Sequence, residues 1–203
     1  KPRVFRLVED EALINRLGFN NHGAEIISDR IKSNNKQGLL GVNVGPNKDS
    51  NNRMNDYLIG LRTFHKFADY ITINISSPNT ENLRNFHEES KLQELLKSIS
   101  EEKKDLKSDV PIAVKISPDI DENQINLISE ILLQNEIKAI IISNTSESLR
   151  NSLSDIQRHQ KGGLSGKPIE KKSNILINKF YKLLKGKIKI IGVGGVDSGQ
   201  AAY

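Results

Sequence analysis

The sequence predicts an α/β protein built on a parallel β-sheet. Two observations support this fold class: short β-branched runs recur along the 203 residues, and an amphipathic helical pattern follows most of them. The runs are nearly continuously apolar, which is typical of strands buried on both faces. A closed barrel and an open, doubly wound sheet both fit this pattern. The five predicted strands cover residues 38–44, 70–75, 111–116, 138–143 and 187–193.

Two helices between these strands are marked by apolar residues at helical spacing. In the last helix, Pro168 is placed for the first turn and Gly186 for the end. The apolar positions are Leu92, Leu95, Leu96 and Ile99 in the first helix, and Leu176, Phe180, Leu183 and Leu184 in the second.

The number of βα units falls short of a complete barrel. Eight strands and about 250 residues are typical of a closed βα barrel, and the last residues resemble the beginning of a further helix. We therefore expect an interior piece of a longer protein. Residues 2–7 predict a strand, 9–16 a short helical turn and 18–21 a loop, while 145–167 predict a long polar loop of the kind that covers sites.

Composition excludes several classes of protein. The chain contains no cysteine, which excludes disulfides, thiolate metal sites and cysteine nucleophiles. No apolar run reaches the roughly 18–20 residues of a membrane span. The net charge of +5 is compatible with nucleic-acid binding. However, acidic and basic residues alternate within helices, as in 101–105, which favours an ordinary solvated surface.

The predicted strand ends carry a distinctive set of side chains, and active sites of parallel α/β folds lie at such ends. The set consists of amides, hydroxyls and one ammonium group, with no carboxylate or imidazole. It suits a flat, hydrogen-bonding, partly anionic ligand and does not suit a divalent metal. Its members are Asn43, Asn74, Ser76, Ser77, Asn79, Thr80, Lys115, Ser143, Asn144 and Thr145.

Each candidate also has an ordinary structural explanation. Lys115 ends an apolar strand, where its ammonium either reaches solvent or stands as a fixed cation beside a ligand. The glycine turn 192–195, followed by a predicted helix start, can hold a phosphate on its backbone N–H groups. Residues 162–166 form a second glycine-rich loop with the same two interpretations. The four histidines share no metal-ligand spacing and are expected on the surface: His22, His65, His87 and His159.

Residues 74–80, Asn-Ile-Ser-Ser-Pro-Asn-Thr, are the most specific stretch. Here the sequence resembles the dihydroorotate dehydrogenases, flavin enzymes of pyrimidine synthesis, and in particular their class 2, quinone-dependent branch. Class 1 relatives place a cysteine base where this chain has Ser77, and residues 15–21 resemble the class 2 extension near the substrate. The other matching segments, in the same order, are 1–7, 15–21, 41–45, 113–119, 162–168 and 191–195.

The resemblance implies a (β/α)₈ TIM barrel, of which about five βα units are present, with a short N-terminal extension near the substrate site. Residues 1–203 would then be a partial FMN-binding barrel domain. The first strands, the last strand and the amphipathic N-terminal helices that dock on the membrane would lie outside it.

The resemblance also implies roles for individual residues. Ser77 would remove a proton from C5 of dihydroorotate while a hydride leaves C6 for FMN, with a proton relay through Thr80 and a water site lined by Phe19. Lys115 would stabilise the reduced flavin, and no metal is implied. The FMN contacts would be Asn43, Asn74, Lys115, Ser143, Gly166 and Gly195. The substrate contacts would be Asn15, Arg16, Leu17, Gly18, Phe19, Asn74, Asn79, Asn144 and Thr145.

The implied partners are dihydroorotate and orotate, a quinone as electron acceptor, and a membrane surface contacted through a segment outside this chain. The implied location is the cytoplasmic face of the bacterial inner membrane, or the mitochondrial inner membrane in a eukaryote. One alternative is another FMN barrel oxidoreductase that acts on a pyrimidine ring. The other is a basic, non-catalytic nucleic-acid-binding protein, although the aromatic residues do not interleave with basic clusters as single-strand binding requires.

Overall fold

The computed structural model describes residues 2–34, 37–47, 49–76 and 89–202. Ser77, Asn79, Thr80 and His87 lie outside these ranges. The strands are β1 Val4–Leu7, β2 Ala12–Asn15, β3 Gly41–Val44, β4 Tyr70–Asn74, β5 Ile112–Lys115, β6 Ala139–Ile142, β7 Gly163–Gly166 and β8 Lys189–Gly192. The helices are α1 Ala24–Ser33, α2 Arg53–Phe64, α3 Glu89–Asp105, α4 Glu122–Gln134, α5 Glu170–Leu184 and α6 Gly199–Ala202.

The larger sheet is parallel and has the strand order β3-β4-β5-β6-β8. These are the five strands predicted from the sequence, so the parallel α/β prediction is confirmed. Each strand pairs with the next parallel strand along the chain. A doubly wound sheet reverses its order at a switch point, whereas a barrel wall does not. The order therefore favours the barrel.

Successive residues of these strands point to opposite faces of the sheet. One face is apolar and packs against helices α2 to α5 in a single core, to which β4 contributes Ile71 and Ile73. The other face carries Thr72, Asn74 and Lys115. On the face of β8 turned away from the helices, Ile191 is 39% exposed.

Local sequence explains where the helices begin and end. Asp121 and Gln124 form a capping box that begins α4, each side chain bonding the other's backbone N–H. In α5, three of the four predicted apolar residues are buried, but Leu183 is 37% exposed because it lies off the inner stripe. The helix ends at Lys185 in a left-handed conformation, with Gly186 following at positive φ. Pro168 lies in the 3₁₀ turn Lys167–Ile169 that leads directly into α5.

The second sheet is antiparallel, with the order β1-β2-β7. The predicted strand at 2–7 is confirmed by β1. The predicted helical turn at 9–16 is wrong, because β2 occupies Ala12–Asn15. Ala12 and Ile14 are buried while Leu13 is exposed, the two-residue period of a strand, and this alternation pairs β2 into a hairpin with β1.

The glycine-rich stretch 162–166, predicted as a loop, contains strand β7. A Cβ atom on Gly166 would lie 2.4 Å from the backbone oxygen of Glu11, so glycine is what allows the neighbouring backbone to approach this closely. Buried apolar residues of β2 and β7 belong to a second, smaller core that is separate from the core of the parallel sheet.

Residues 145–167 are also more ordered than predicted. Besides β7, they contain the 3₁₀ turn Ile156–His159, and the backbone of Ser146 pairs with that of Leu164. The Asp10 carboxylate accepts hydrogen bonds from the backbone N–H groups of Ser154 and Asp155 at 2.8 and 3.0 Å. The segment is therefore held against the N-terminal extension instead of forming a free polar loop.

Tyr57 of α2 fixes the end of β4. Its side chain is fully buried, burial raises the pKa of the phenol, and the protonated hydroxyl donates to the backbone oxygen of Asn74 at 2.7 Å. We expect Tyr57→Phe to lower the free energy of unfolding by about 1–2 kcal/mol, because a buried hydrogen bond is lost. Urea denaturation measures this. Tyr181→Phe is the matched control, since Tyr181 is 67% exposed, and equal stability of the two variants would contradict the prediction.

Candidate active site

Three adjacent strands end at one edge of the sheet with polar side chains. Asn74 and Lys115 are register partners at the carboxyl ends of β4 and β5. The backbone N–H of Asn144, just beyond β6, donates to the oxygen of Ile116 at 2.9 Å. The structure thus brings together two predicted amides and the predicted cation. This is the edge where parallel barrels carry their active sites.

Asn74 and Asn144 are connected through Ser76, which the sequence interpretation did not assign a role. Ser76 is fully buried. Its backbone N–H and its hydroxyl lie 3.1 and 2.8 Å from Oδ1 of Asn74, and Nδ2 of Asn144 lies 3.0 Å from its Oγ. Sequence alone shows two consecutive serines here and does not indicate that one of them links two strand ends.

Lys115 is half-buried, and burial lowers the pKa of its ammonium group. Within residues 2–34, 37–47, 49–76 and 89–202, it takes part in none of the ion pairs. A side chain that simply reaches bulk water would not be desolvated in this way. The geometry therefore favours a cation kept for an anionic ligand over a snorkelling surface lysine.

Ser143 is nearly fully buried, at 2% exposure. Its hydroxyl donates to the backbone oxygen of Asn144 at 3.1 Å, and its N–H donates to the oxygen of Val193 at 2.9 Å. It therefore ties the end of β6 to the segment after β8. Thr145, the next predicted substrate contact, is half-buried beside Asn144.

The end of β3 lies beside the N-terminal extension. Gly18, Phe19 and Asn43 line a cleft of about 330 Å³. Phe19 is 40% exposed and has a φ of 55°. The structure thus brings a predicted FMN contact and two predicted substrate-side residues into one cleft.

Arg16 and Leu17, also predicted substrate contacts, make structural contacts. The Arg16 guanidinium lies 4.4 Å from the Phe5 ring centroid and donates to the side-chain oxygen of Gln160 at 3.1 Å. The backbone oxygen of Leu17 accepts a hydrogen bond from Arg3 at 2.9 Å. These contacts fix the path of residues 15–19, in which Asn15 is the last residue of β2.

Gly166 and Gly195 lie next to each other near the beginning of α5. A Cβ atom on Gly195 would be 2.6 Å from Cβ of Glu170 and 3.2 Å from the backbone oxygen of Gly166. At φ 74°, Gly195 also has a backbone conformation that other residues rarely adopt. The two predicted cofactor glycines are both half-buried, and they allow two backbone segments to pack closely.

Asp119 forms a hydrogen-bonded cluster that the sequence interpretation missed. Its carboxylate accepts from the hydroxyls of Ser146 and Ser148 and from the ammonium of Lys172, each at 2.7 Å, and from the Glu147 N–H at 2.8 Å. Burial alone would raise the pKa of Asp119, but these hydrogen bonds together hold it well below its ordinary value. The cluster fastens the residues that follow Thr145 to α5.

We expect Asp119→Asn to lower the free energy of unfolding by about 2 kcal/mol at neutral pH, because hydrogen bonds to a charged, largely buried group are lost. The carboxylate has a lower pKa in the folded state than when unfolded. Its contribution is therefore complete above the unfolded value of about 4 and declines as the pH falls below it.

Denaturation at pH 7 and pH 3 measures this difference, which should be smaller at pH 3. Asp29→Asn, at an exposed carboxylate paired with Lys32, is the control and should leave stability unchanged. An equal loss at both pH values would show that the charge of Asp119 is not responsible.

The described residues contain no group of three or more His, Asp or Glu side chains arranged to hold a metal. In the same part of the chain, no helix is long and apolar enough to cross a membrane. His22 and His159 are exposed and His65 is half-buried.

A consecutive parallel wall with its polar groups at the carboxyl edge defines this protein as a member of the TIM-barrel class. A family model described as "Dihydroorotate dehydrogenase" matches residues 1–203. The chain belongs to the dihydroorotate dehydrogenase family, as its sequence resemblance predicted.

Curated relatives agree with this assignment. The chain is 44% identical over 208 aligned residues to the dihydroorotate dehydrogenase (quinone) of Idiomarina loihiensis, covering 100% of this chain and 62% of that protein. It is 42% identical to the protein of the same name from Bartonella tribocorum, covering 100% of this chain and 57% of that protein. The chain thus spans about three fifths of the length of these relatives.

Solved structures support the same fold. The crystal structure of the Eimeria tenella enzyme in complex with ferulenol superimposes with a TM-score of 0.94 at 32% sequence identity. The alignment covers 100% of this chain and 61% of that one.

Proposed function

We propose that this protein oxidises dihydroorotate to orotate in pyrimidine biosynthesis, with FMN as cofactor and a quinone as final electron acceptor. The observation that carries the proposal is the row formed by Asn74, Lys115 and Asn144 at the carboxyl edge of a barrel of this family. Two relatives carry the name dihydroorotate dehydrogenase (quinone). We propose a peripheral location on the cytoplasmic face of the bacterial inner membrane, or on the mitochondrial inner membrane in a eukaryote.

The described residues fit FMN by their chemistry. A flavin ring has hydrogen-bond donors and acceptors along one edge, which amides and a hydroxyl match, and its phosphate suits glycine backbone N–H groups. When bound, FMN would take a hydride from the substrate and pass electrons to the quinone. The residues proposed to hold it are Asn43, Asn74, Lys115, Ser143, Gly166 and Gly195.

Lys115 would supply positive charge where the bound cofactor becomes negative. A cation that is fixed and partly desolvated acts more strongly than one in water. Burial lowers the pKa of Lys115, and an anion bound beside it would favour the charged form.

The substrate would be held by amide groups, because each asparagine offers both a donor and an acceptor to a ring that presents carbonyl and N–H groups. Asn74 and Asn144 are placed for this, with Thr145 beside them. Residues Asn15 to Phe19 of the N-terminal extension would close one side of the site. Arg16 would contribute by fixing the backbone path of this segment. Asn79, which lies outside the described residues, completes the proposed set.

Ser77 is proposed as the base that accepts the proton from C5 of the substrate. A serine hydroxyl is a weak base, so it requires a neighbouring group that removes its own proton. Thr80 and a water site lined by Phe19 are the proposed members of a relay that removes this proton. Ser77 and Thr80 lie outside the described residues, and their roles rest on the match of residues 74–80 to the family.

The first prediction from this function concerns Lys115. In FMN-loaded enzyme expressed from its whole reading frame, Lys115→Ala should lower the flavin reduction potential and slow flavin reduction, because the stabilising cation is lost. Anaerobic potentiometry measures the potential. Lys97→Ala removes the same charge from an exposed position on α3, with a 71% exposed side chain, and should change neither value. An unchanged reduction potential in Lys115→Ala would mean that the Lys115 ammonium reaches solvent and does not stabilise the reduced flavin.

The second prediction concerns the reaction itself. Anaerobic stopped-flow mixing with dihydroorotate should bleach the flavin, and mixing with dihydrouracil, which lacks the carboxylate, should not. Equal bleaching by both would favour another FMN barrel acting on pyrimidine rings.

In the same assay, Ser77→Ala should reduce flavin at least about a hundredfold more slowly, the usual effect of losing a positioned general base. Orotate and FMN should still bind, since asparagine side chains are the proposed contacts. Ser77→Cys should recover part of the rate. A Ser77→Ala variant as fast as the wild type would mean that another group removes the proton.

A further inference from the structure

Ser76 is the only side chain of the described residues that hydrogen bonds to both Asn74 and Asn144. It is fully buried, and Asn74 is 2% exposed. The contact joins the ends of β4 and β6, which are separated in the sheet by β5. Hence Ser76 fixes the relative positions of two amides across the strand that carries Lys115.

The direction of each hydrogen bond in this group follows from elementary chemistry. A backbone N–H can only donate, so the Asn74 atom 3.1 Å from the Ser76 nitrogen is the carbonyl oxygen Oδ1. The Ser76 hydroxyl, 2.8 Å from the same oxygen, must donate its one hydrogen there. Its lone pairs then accept from Nδ2 of Asn144 at 3.0 Å.

These directions determine which hydrogen-bonding group of each amide remains available to a ligand. Asn74 uses its oxygen on Ser76 and presents the Nδ2 donor. Asn144 uses one N–H on Ser76 and presents the Oδ1 acceptor. A half-turn of either amide would place donor against donor or acceptor against acceptor, which is costly in a buried group.

We infer that Ser76 is a positioning residue that sets the hydrogen-bond polarity of the substrate site. The inference rests on the proposed function, in which Asn74 and Asn144 contact the substrate. The site then selects a ring that turns a carbonyl oxygen towards Asn74 and an N–H towards Asn144, as cyclic amides and imides do. Ser76 acts through these two side chains and does not touch the reacting atoms.

The experiment compares ligand preference in FMN-loaded wild type and Ser76→Ala, both expressed from the whole reading frame. The probes are orotate and its N1-methyl and N3-methyl derivatives, with binding followed by the flavin absorbance change. In Ser76→Ala, the Ser76 N–H still holds Asn74, but Asn144 loses its partner and its amide is able to turn.

We expect Ser76→Ala to bind orotate about tenfold more weakly, the scale of one lost hydrogen bond at a desolvated site. The ligand preference is the Kd of the methyl derivative that the wild type binds more weakly, divided by the Kd of orotate. This ratio should be at least about fivefold smaller in Ser76→Ala than in the wild type. In an Asn144→Ala background, adding Ser76→Ala should change binding little, because both changes remove the same contact. A role of Ser76 in stability alone would predict additive effects and an unchanged preference.

Ser129→Ala is the matched control. Ser129 is 3% exposed, and its hydroxyl donates within its own helix to the oxygen of Ile125 at 2.8 Å. This variant should keep the wild-type preference. If Ser76→Ala fails to hold FMN, Ser76→Cys, which keeps a weak donor and acceptor, replaces it in the same comparison.

The outcomes separate the inference from the proposed function. Suppose that the wild type binds orotate. If Ser76→Ala then leaves the ligand preference unchanged, or if its effect on binding adds to that of Asn144→Ala, the role of Ser76 is overturned while the proposed function stands. A wild type that does not bind orotate overturns the proposed function and this inference with it.

Discussion

The arrangement of the site depends on the packing of one face of the parallel sheet against helices α2 to α5. Since side chains alternate along each strand, burying Ile71, Ile73 and their counterparts directs Thr72, Asn74 and Lys115 to the opposite face. A shift of one residue in register would exchange the two sets and place polar groups in the core. The same packing that stabilises the fold therefore determines which polar groups reach the carboxyl edge.

A second group of contacts joins the extension and the long segment after β6 to this wall. Strands β1, β2 and β7 form one antiparallel unit. Asp119 and Lys172 fasten residues 146–148 to the barrel side. The site is therefore bordered by two structures. The strand ends are held in place by the main core, whereas the small antiparallel sheet is held by polar contacts and by a small core of its own.

The sequence predicted the five parallel strands because each one is a local apolar run whose neighbours along the chain are also its partners in the sheet. It did not predict β2 and β7, because the pairing of Ala12 with Gly166 is not visible in either segment alone. The same reason applies to Ser76 and Asp119, whose importance comes from residues distant in sequence. Asn74, Lys115 and Asn144 were predicted, because strand ends identify them directly, whereas the roles of Ser77, Asn79 and Thr80 remain predictions from family resemblance.

The extension has a consequence for the order of folding. Asp10 and Ser154 are hydrogen-bonded although they stand 144 positions apart in the chain. Bringing such distant segments together costs loop-closure entropy before any contact repays it, and distant contacts slow folding. The parallel wall is built from neighbouring βα units and needs no such closure. The barrel wall should therefore form first, and the small antiparallel sheet should assemble on a strand order already in place.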